Sequence, residues 1–405
     1  MSGKKRISFL MPTFNRADYI AEAIASITSQ MDANDEIIVI DDGSTDGTRT
    51  LLESIGDTIA LVRQENSGKS VALNLGMERA KGDYIWICDD DDVMCEGAVA
   101  TLVDLITTTG VDFVFGRYSK FTHRGNVRID LGMAHWPVLE RGSPARHILE
   151  DAFVMHNAAL VRRSLYDQVG PFDPSMLRAQ DYDMFVRCAI RGKAAFTSQT
   201  LFMQRKHAGA RGPSEMLHSA GQSNTVWQQY DARIFNRLYA EVPIAFFERM
   251  FAGDDPALVK RAALLQRATI MARHGLWMNA LTDWQTASAK NSEPLTMLEK
   301  DICRRAMAGK HGFAGALDKA ALDGLLDLSR SRGLGAYIVQ ELVEGLVWRL
   351  RDHDEGNRAL AWSLASRLGQ RGKLLHGVIN RLWPRSRSRE HDQTLREVSD
   401  LALLD

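Results

Sequence analysis

Residues 84–92 read YIWICDDDD: an apolar run ends in four consecutive aspartates, Asp89, Asp90, Asp91 and Asp92. In an extended segment, side chains alternate between faces, so Asp89 and Asp91 share a side. At about 5.5 Å and an effective dielectric of about 20, two carboxylates repel by roughly 3 kcal/mol. A hard divalent cation reverses that sign, because magnesium and manganese take oxygen ligands, typically one or two carboxylates plus phosphate oxygens. An Asp-x-Asp arrangement at a strand end thus offers half of a metal–diphosphate site. The competing reading is an acidic, solvated turn. A second acidic pair, Asp41-Asp42, closes the apolar stretch EIIVI at 36–40.

Asp41 is acceptor-only when ionised, suited to the imide N–H of a uracil or to ribose hydroxyls. The alternative is an Asx turn in which Asp41 or Asp42 caps the next helix, and Ser44 is open to the same reading. Asn66, Gly68, Lys69 and Asn74 surround the start of a further helix. Its N-terminus can face a phosphate, and Lys69 can add charge.

These residues need elements to hold them. Apolar runs at 7–12, 36–41, 59–64, 84–88 and 112–118 read as strands. Helical periodicity at 17–30, from Ser44–Gly47 to Ile55, at 68–80 and at 96–108 reads as the helices between them. Strand and helix alternating in this way indicate parallel βαβ units with helices on both faces of a sheet. Ligands of such sheets bind beyond the carboxyl ends of the strands, where both acidic clusters fall. Beyond residue 120 the alternation weakens. Residues 127–131, 158–161 and 196–203 are candidate strands, GPFDPSM at 170–176 is a loop, and a helix opens at Asp181. From about residue 214 the pattern is helical only, so the expected domains are 1–220, α/β, and 221–405, all-α.

Composition narrows the classes. The 405 residues carry a net charge of −1, so no global field favours nucleic acid. Cys88, Cys95, Cys188 and Cys303 are scattered and form no CxxC pair, which argues against a disulfide framework or a zinc site. The basic N-terminus precedes only about five apolar residues, too few for a secretory signal, and no run reaches the roughly 18 needed to span a bilayer. The expected location is cytoplasmic, with the inner membrane face as a docking place.

Together the motifs resemble glycosyltransferase family 2, on the nucleotide-sugar-binding GT-A fold. The similar stretches are PTFNRADYI (12–20), IIVIDDGSTDGT (37–48), Asn66-x-Gly68, Asn74-x-Gly76, YIWICDDDD (84–92), VGPFD (169–173) and AQDYDMFVRCAIRG (179–192). The resemblance covers roughly residues 6–210. It implies that Pro12, Thr13 and Asn15 line the nucleotide pocket, with Asp41 on the base, and that Asn66 and Lys69 lie near the ribose and diphosphate. It further implies that Asp89 and Asp90 lie near the ribose and that Asp91 binds Mn2+ or Mg2+. His207 matches a histidine found near the metal or diphosphate, although a lone histidine is also commonly structural. Asp181 matches the catalytic base of inverting members. The family commonly has Glu-Asp where this chain has Gln180-Asp181, and the run of four aspartates exceeds the usual pattern.

The implied reaction moves a sugar, with inversion, from a nucleotide diphosphate donor, UDP being the choice that suits Asp41, to a glycan or lipid-linked acceptor in cell-surface polysaccharide synthesis. A sugar-nucleotide nucleotidyltransferase is disfavoured because PTFNRAD has no glycine after the first strand. A non-catalytic nucleotide-binding scaffold is the third reading. Asp181 has a structural alternative as the N-cap of the helix at Tyr182. In the helical half, 367–390 places Leu374, Leu375, Val378, Ile379, Leu382 and Trp383 on one face among seven basic residues. That is a peripheral membrane anchor in one reading, and a packed terminal helix with a basic tail in the other.

Overall fold

The computed structural model describes residues 6–125, 127–139, 142–207, 223–290, 293–309, 312–331, 333–351, 355–382 and 395–398. The chain divides into two compact units. One is built from Met1–Val138 and Ala152–Ser219, the other from Leu139–Asp151 and Ala220–Leu401.

In the first unit, β1 (Ile7–Thr13), β2 (Glu36–Asp41), β3 (Ala60–Arg63) and β4 (Tyr84–Ile87) alternate with α1 (Ile20–Thr28), α2 (Thr48–Ile55) and α3 (Lys69–Arg79). β1 pairs in parallel with both β2 and β4, and β2 with β3. Every residue of β1 is buried, which explains its unbroken apolar run: both faces of a parallel strand are covered. The helices supply the cover. α1 buries Ile20, Ala23, Ile24 and Ile27 at helical spacing. α3 comes so close to β2 that a Cβ on Gly76 would lie 2.9 Å from Ile40 Cδ1.

β5 (Val93–Met94), α4 (Ala98–Thr109), β6 (Phe113–Arg124) and β7 (Val127–Met133) follow. After α5 (Pro144–Glu150), which counts with the second unit, come β8 (Ala159–Arg162), α6 (Arg163–Val169), α7 (Gln180–Arg191) and β9 (Ala194–Arg205). The nine-stranded sheet has the order β3-β2-β1-β4-β8-β6-β9-β5, with β7 beside β6. β8 is antiparallel to both β4 and β6, whereas β6 and β9 are parallel, so the sheet is mixed and mostly parallel on the side of β1–β4.

Two capping expectations do not hold. α7 opens at Gln180, not at Tyr182; Ala179 is its N-cap with a left-handed φ of 58°, so Asp181 sits inside the first turn and caps nothing. α2 opens at Thr48, whose N–H donates to Asp46 Oδ1, so neither Asp41 nor Asp42 caps it.

The second unit is helical. It contains α8 (Ser223–Glu241), α9 (Ile244–Glu248), α10 (Pro256–Arg273), α11 (Trp277–Lys290), α12 (Met297–Arg305), α13 (Lys319–Arg330), α14 (Gly335–Gly345), α15 (Glu355–Arg367) and α16 (Arg371–Leu382). α10 is buried along most of its circumference, and its Arg261 pairs with Glu299 at 2.7 Å through both guanidinium arms. One short antiparallel ladder, β10 (Phe251–Gly253) with β11 (Leu395–Glu397), interrupts the helical pattern. In the basic stretch 367–390, Leu374 is buried while Leu375 is 49% exposed. The side chains of Ile379 and Leu382, and everything from Trp383 to residue 390, lie outside the described residues. No described helix is long and apolar enough to cross a membrane.

Candidate active site

Because β1, β2, β3 and β4 run in parallel, their carboxyl ends share one rim. Thr13 lies opposite Asp41 and Asp41 opposite Arg63, while Cys88 N–H donates to Leu10 O. Asp41 and the run Asp89–Asp92 therefore reach the same edge of the sheet.

The nucleotide end of this rim is a set of interlocked loops. Asp41 is 1% exposed; its Oδ1 accepts from Ser44 N–H, three residues on, at 2.9 Å. Its Oδ2 is buried and accepts no hydrogen bond, with Arg63 Nε 3.7 Å away. Asp42 fastens the next loop: its carboxylate accepts from Gln64 Nε2, Ser67 N–H and Gly68 N–H at 2.7–2.9 Å. Gly43, at φ +81°, lets the two loops close, since a Cβ there would meet Asn66 N at 2.9 Å. Asn15, at φ +53°, accepts from Thr45 N–H at 2.8 Å through its side chain and donates its own N–H to Ser44 Oγ. It thus holds the loop after β2. Pro12 and Thr13 are buried at the end of β1, with the Thr13 side chain hydrogen-bonding Asp90, and Asn66 is exposed on the loop leading to α3.

The four aspartates take four different partners. Asp89 pairs with Lys69 Nζ at 2.6 Å, and Lys69 is the first residue of α3. Burial alone would raise the Asp89 pKa, but the Lys69 charge more than offsets this and holds it below the usual carboxylate range. The same partnership, with Asp181 and Asp90 adding to it, holds Lys69 above its ordinary value against its own burial. Asp90 is pushed up to about 7 by burial and by the Asp91 charge; Arg16 Nε is 3.6 Å away. Asp91 Oδ2 lies 2.8 Å from His207 Nε2, whose ring stacks on Tyr19 at 4.9 Å. Asp92 points inward and accepts from Asn157 Nδ2 at 2.7 Å and Arg205 N–H at 2.8 Å.

Asp181 projects from the first turn of α7, with its side chain 21% exposed. His156 Nε2 is 3.8 Å from its Oδ1. The α7 end is tied back to the sheet. Asn74 of α3 makes two hydrogen bonds to the backbone of Phe172, at 2.8 and 2.9 Å, and Arg187 of α7 donates to Val169 O and Gly170 O.

Sequence reasoning missed His156, Asn157, Arg16 and Arg205. Asn157 is the organiser of the aspartate run: its Oδ1 accepts from Asp89 N–H at 2.6 Å, its Nδ2 donates to Asp89 and Asp92, and its carbonyl accepts from Trp86 Nε1. Arg205 Nε donates to Asp91 O at 2.8 Å. These partners are separated by 68 and 114 positions, so no local spacing announces them.

Asp91 offers a carboxylate, a ligand type that fits Mn2+ or Mg2+, with the His207 imidazole beside it. Among the described residues no group of three or more His, Cys, Asp or Glu side chains converges. A cation bound largely by diphosphate oxygens needs no such group.

The mostly parallel sheet with helices on both faces and acidic residues at its carboxyl rim has the GT-A type of fold. Residues 8–170 match the family described as glycosyl transferase family 2. The chain is similar to the glycosyltransferase GlyG of Streptococcus pneumoniae, 26% identical over 217 residues, covering 50% of this chain and 72% of GlyG. It is 35% identical over 126 residues to the putative teichuronic acid biosynthesis glycosyltransferase TuaG of Bacillus subtilis, covering 30% of this chain and 50% of TuaG. The fold is similar to that of S. aureus TarS 1–349, solved in complex with UDP-GlcNAc: TM-score 0.50, 15% identity, covering 90% of this chain and 92% of that one.

Proposed function

We propose that the chain transfers a sugar from a UDP-sugar to a hydroxyl of a cell-surface glycan, with inversion at the anomeric carbon. The observation that carries the donor is Asp41 Oδ2, a buried acceptor with no hydrogen-bond partner on the rim where a nucleotide base would lie. A uracil imide N–H satisfies it, as a guanine N1–H would, whereas cytosine has no hydrogen at that nitrogen; the GDP-mannose arm of the test separates the first two. The name of TuaG, which ties that relative to teichuronic acid synthesis, supports a cell-surface product.

Lys69 and the start of α3 bring positive charge towards the diphosphate. Asp91 and His207 would hold Mn2+ or Mg2+, which as a bound Lewis acid neutralises charge on the leaving diphosphate. Asp181 is the base. The acceptor hydroxyl gives its proton to the Asp181 carboxylate as its oxygen attacks the anomeric carbon. The bond from that carbon to the UDP oxygen breaks, and its electron pair leaves with UDP. One displacement inverts the centre, and the carboxylate accepts the proton late, so an ionised aspartate suffices.

The test is turnover of a panel of UDP-sugars, with GDP-mannose as the comparison, with and without manganese. The expected result is UDP-sugar turnover that manganese raises. Asp91→Ala loses metal-dependent nucleotide binding. Asp181→Asn keeps nucleotide affinity and slows transfer about 10²- to 10⁴-fold. Wild-type transfer by Asp181→Asn removes the base, and a panel with no turnover removes the function.

A further inference from the structure

His156 begins a short 3-10 turn, His156–Ala158, just before β8. The residue is 2% exposed, and neither ring nitrogen has a hydrogen-bond partner. Buried polar groups are normally satisfied, so an imidazole lacking both bonds calls for an explanation. Phe172 and Phe185 flank the ring, with centroids 5.5 and 4.8 Å away, and fix its plane. Nε2 stands 3.8 Å from Asp181 Oδ1, just beyond a direct hydrogen bond.

Burial holds the His156 pKa below its ordinary value. Lys69 and Arg187 act in the same direction, and Asp181 and Asp89 oppose it. The ring is therefore neutral, with one nitrogen a donor and the other an acceptor. A carboxylate facing Nε2 selects the tautomer with the hydrogen there. Catalytic hydrogen bonds are often long in the free enzyme and tighten when substrate binds.

We propose that His156 is the positioning residue for Asp181: its Nε2–H closes the 3.8 Å gap when donor and acceptor bind, and fixes which carboxylate oxygen faces the acceptor hydroxyl. The inference rests on the reading of Asp181 as the base. His156 keeps its proton throughout; the proton lost by the acceptor goes to Asp181. A ring clamped between two phenylalanines sets that carboxylate more rigidly than solvent would. An error of about 1 Å in such a position costs on the order of 10²-fold in rate.

The test uses the full chain and whichever of UDP-GlcNAc, UDP-glucose and UDP-galactose it turns over. His156→Phe fills the space between Phe172 and Phe185 but donates nothing; His156→Gln restores an N–H. The expected result for His156→Phe is a kcat lower by about 10- to 100-fold. Its KM for the UDP-sugar stays within about twofold, and His156→Gln recovers most of the loss. The acid limb of kcat, which reports the bound complex, moves to higher pH in His156→Phe, because the ionised carboxylate there has lost a donor. Lys69, Tyr118, Tyr166 and Arg187 also bear on this corner of the site, and all remain in both variants. A His156→Phe variant with wild-type kcat and an unmoved acid limb overturns the proposal. Should that variant fail to fold, 15N spectra of histidine-labelled wild type decide: a proton on Nε2 of His156 supports the proposal, and one on Nδ1 overturns it. Failure of the underlying reading is distinct, since it shows as turnover by Asp181→Asn.

Discussion

Four like charges in a row are tolerable here because each has its own partner: Lys69 for Asp89, Arg16 for Asp90, His207 for Asp91, and Asn157 with the Arg205 backbone for Asp92. Only Asp92 is turned fully inward, which leaves the first three at the rim. Asn157 fixes this arrangement through one amide that both donates and accepts. Asn157→Asp keeps the size and replaces the donors with a third carboxylate facing Asp89 and Asp92. Each orphaned or opposed group costs about 1–3 kcal/mol. The expected outcome is a lower urea midpoint and weaker UDP binding by calorimetry. A variant with both at wild-type values would show that Asn157 only fills space.

At the scale of elements, the strands carry the acids and α3 and α7 aim the rest. β1, β2 and β4 were readable because covered parallel strands are apolar on both faces, and the rim acids follow from strand direction. The antiparallel β8 between β4 and β6 was not, since a four-residue apolar segment carries no mark of its direction. The true start of α7 was hidden because Ala179, which takes a left-handed φ of 58°, is not a residue that announces that conformation. His156 and Asn157 were hidden because their partners are distant in sequence. The tie between α3 and the loop before α7 rests on Asn74, whose amide makes both hydrogen bonds to Phe172. Phe172 in turn packs on His156. Asn74→Ala therefore loosens the loop that backs the His156–Asp181 pair. Stability should fall by about 1–3 kcal/mol in thermal melts. Because the nucleotide end of the rim is untouched, kcat should fall further than KM rises. A fall in affinity with kcat preserved would place the Asn74 contribution at the donor instead.

At the scale of the whole molecule, the two units are not successive blocks of sequence. The segment Leu139–Asp151, lying between β7 and β8 in the chain, belongs with the helices of the second unit. The physical reason is Glu150 at the end of α5. Its carboxylate is buried and accepts from Gln266 at 2.9 Å, Arg305 at 3.1 Å and Arg146 at 3.3 Å, while Arg273 donates to its carbonyl. Burial alone would raise the Glu150 pKa, but Arg305, Arg146 and Arg273 together hold it far below the usual range. A carboxylate with a depressed folded pKa contributes stability that is complete above its unfolded pKa of about 4.3 and is lost as pH falls below it. Glu150→Gln removes the charge and leaves three arginines facing a neutral amide. Breaking a buried ion pair from one side costs about 3–5 kcal/mol. At pH 6 the variant should therefore melt well below the wild type. As pH falls from about 4.5 towards 3, the wild type loses the same contribution and the gap should narrow. Other carboxylates titrate in both proteins, so the difference between the two melting curves, followed against pH, isolates Glu150. A gap that stays constant down to pH 3 would mean that Arg146, Arg273 and Arg305 are held by groups other than this carboxylate.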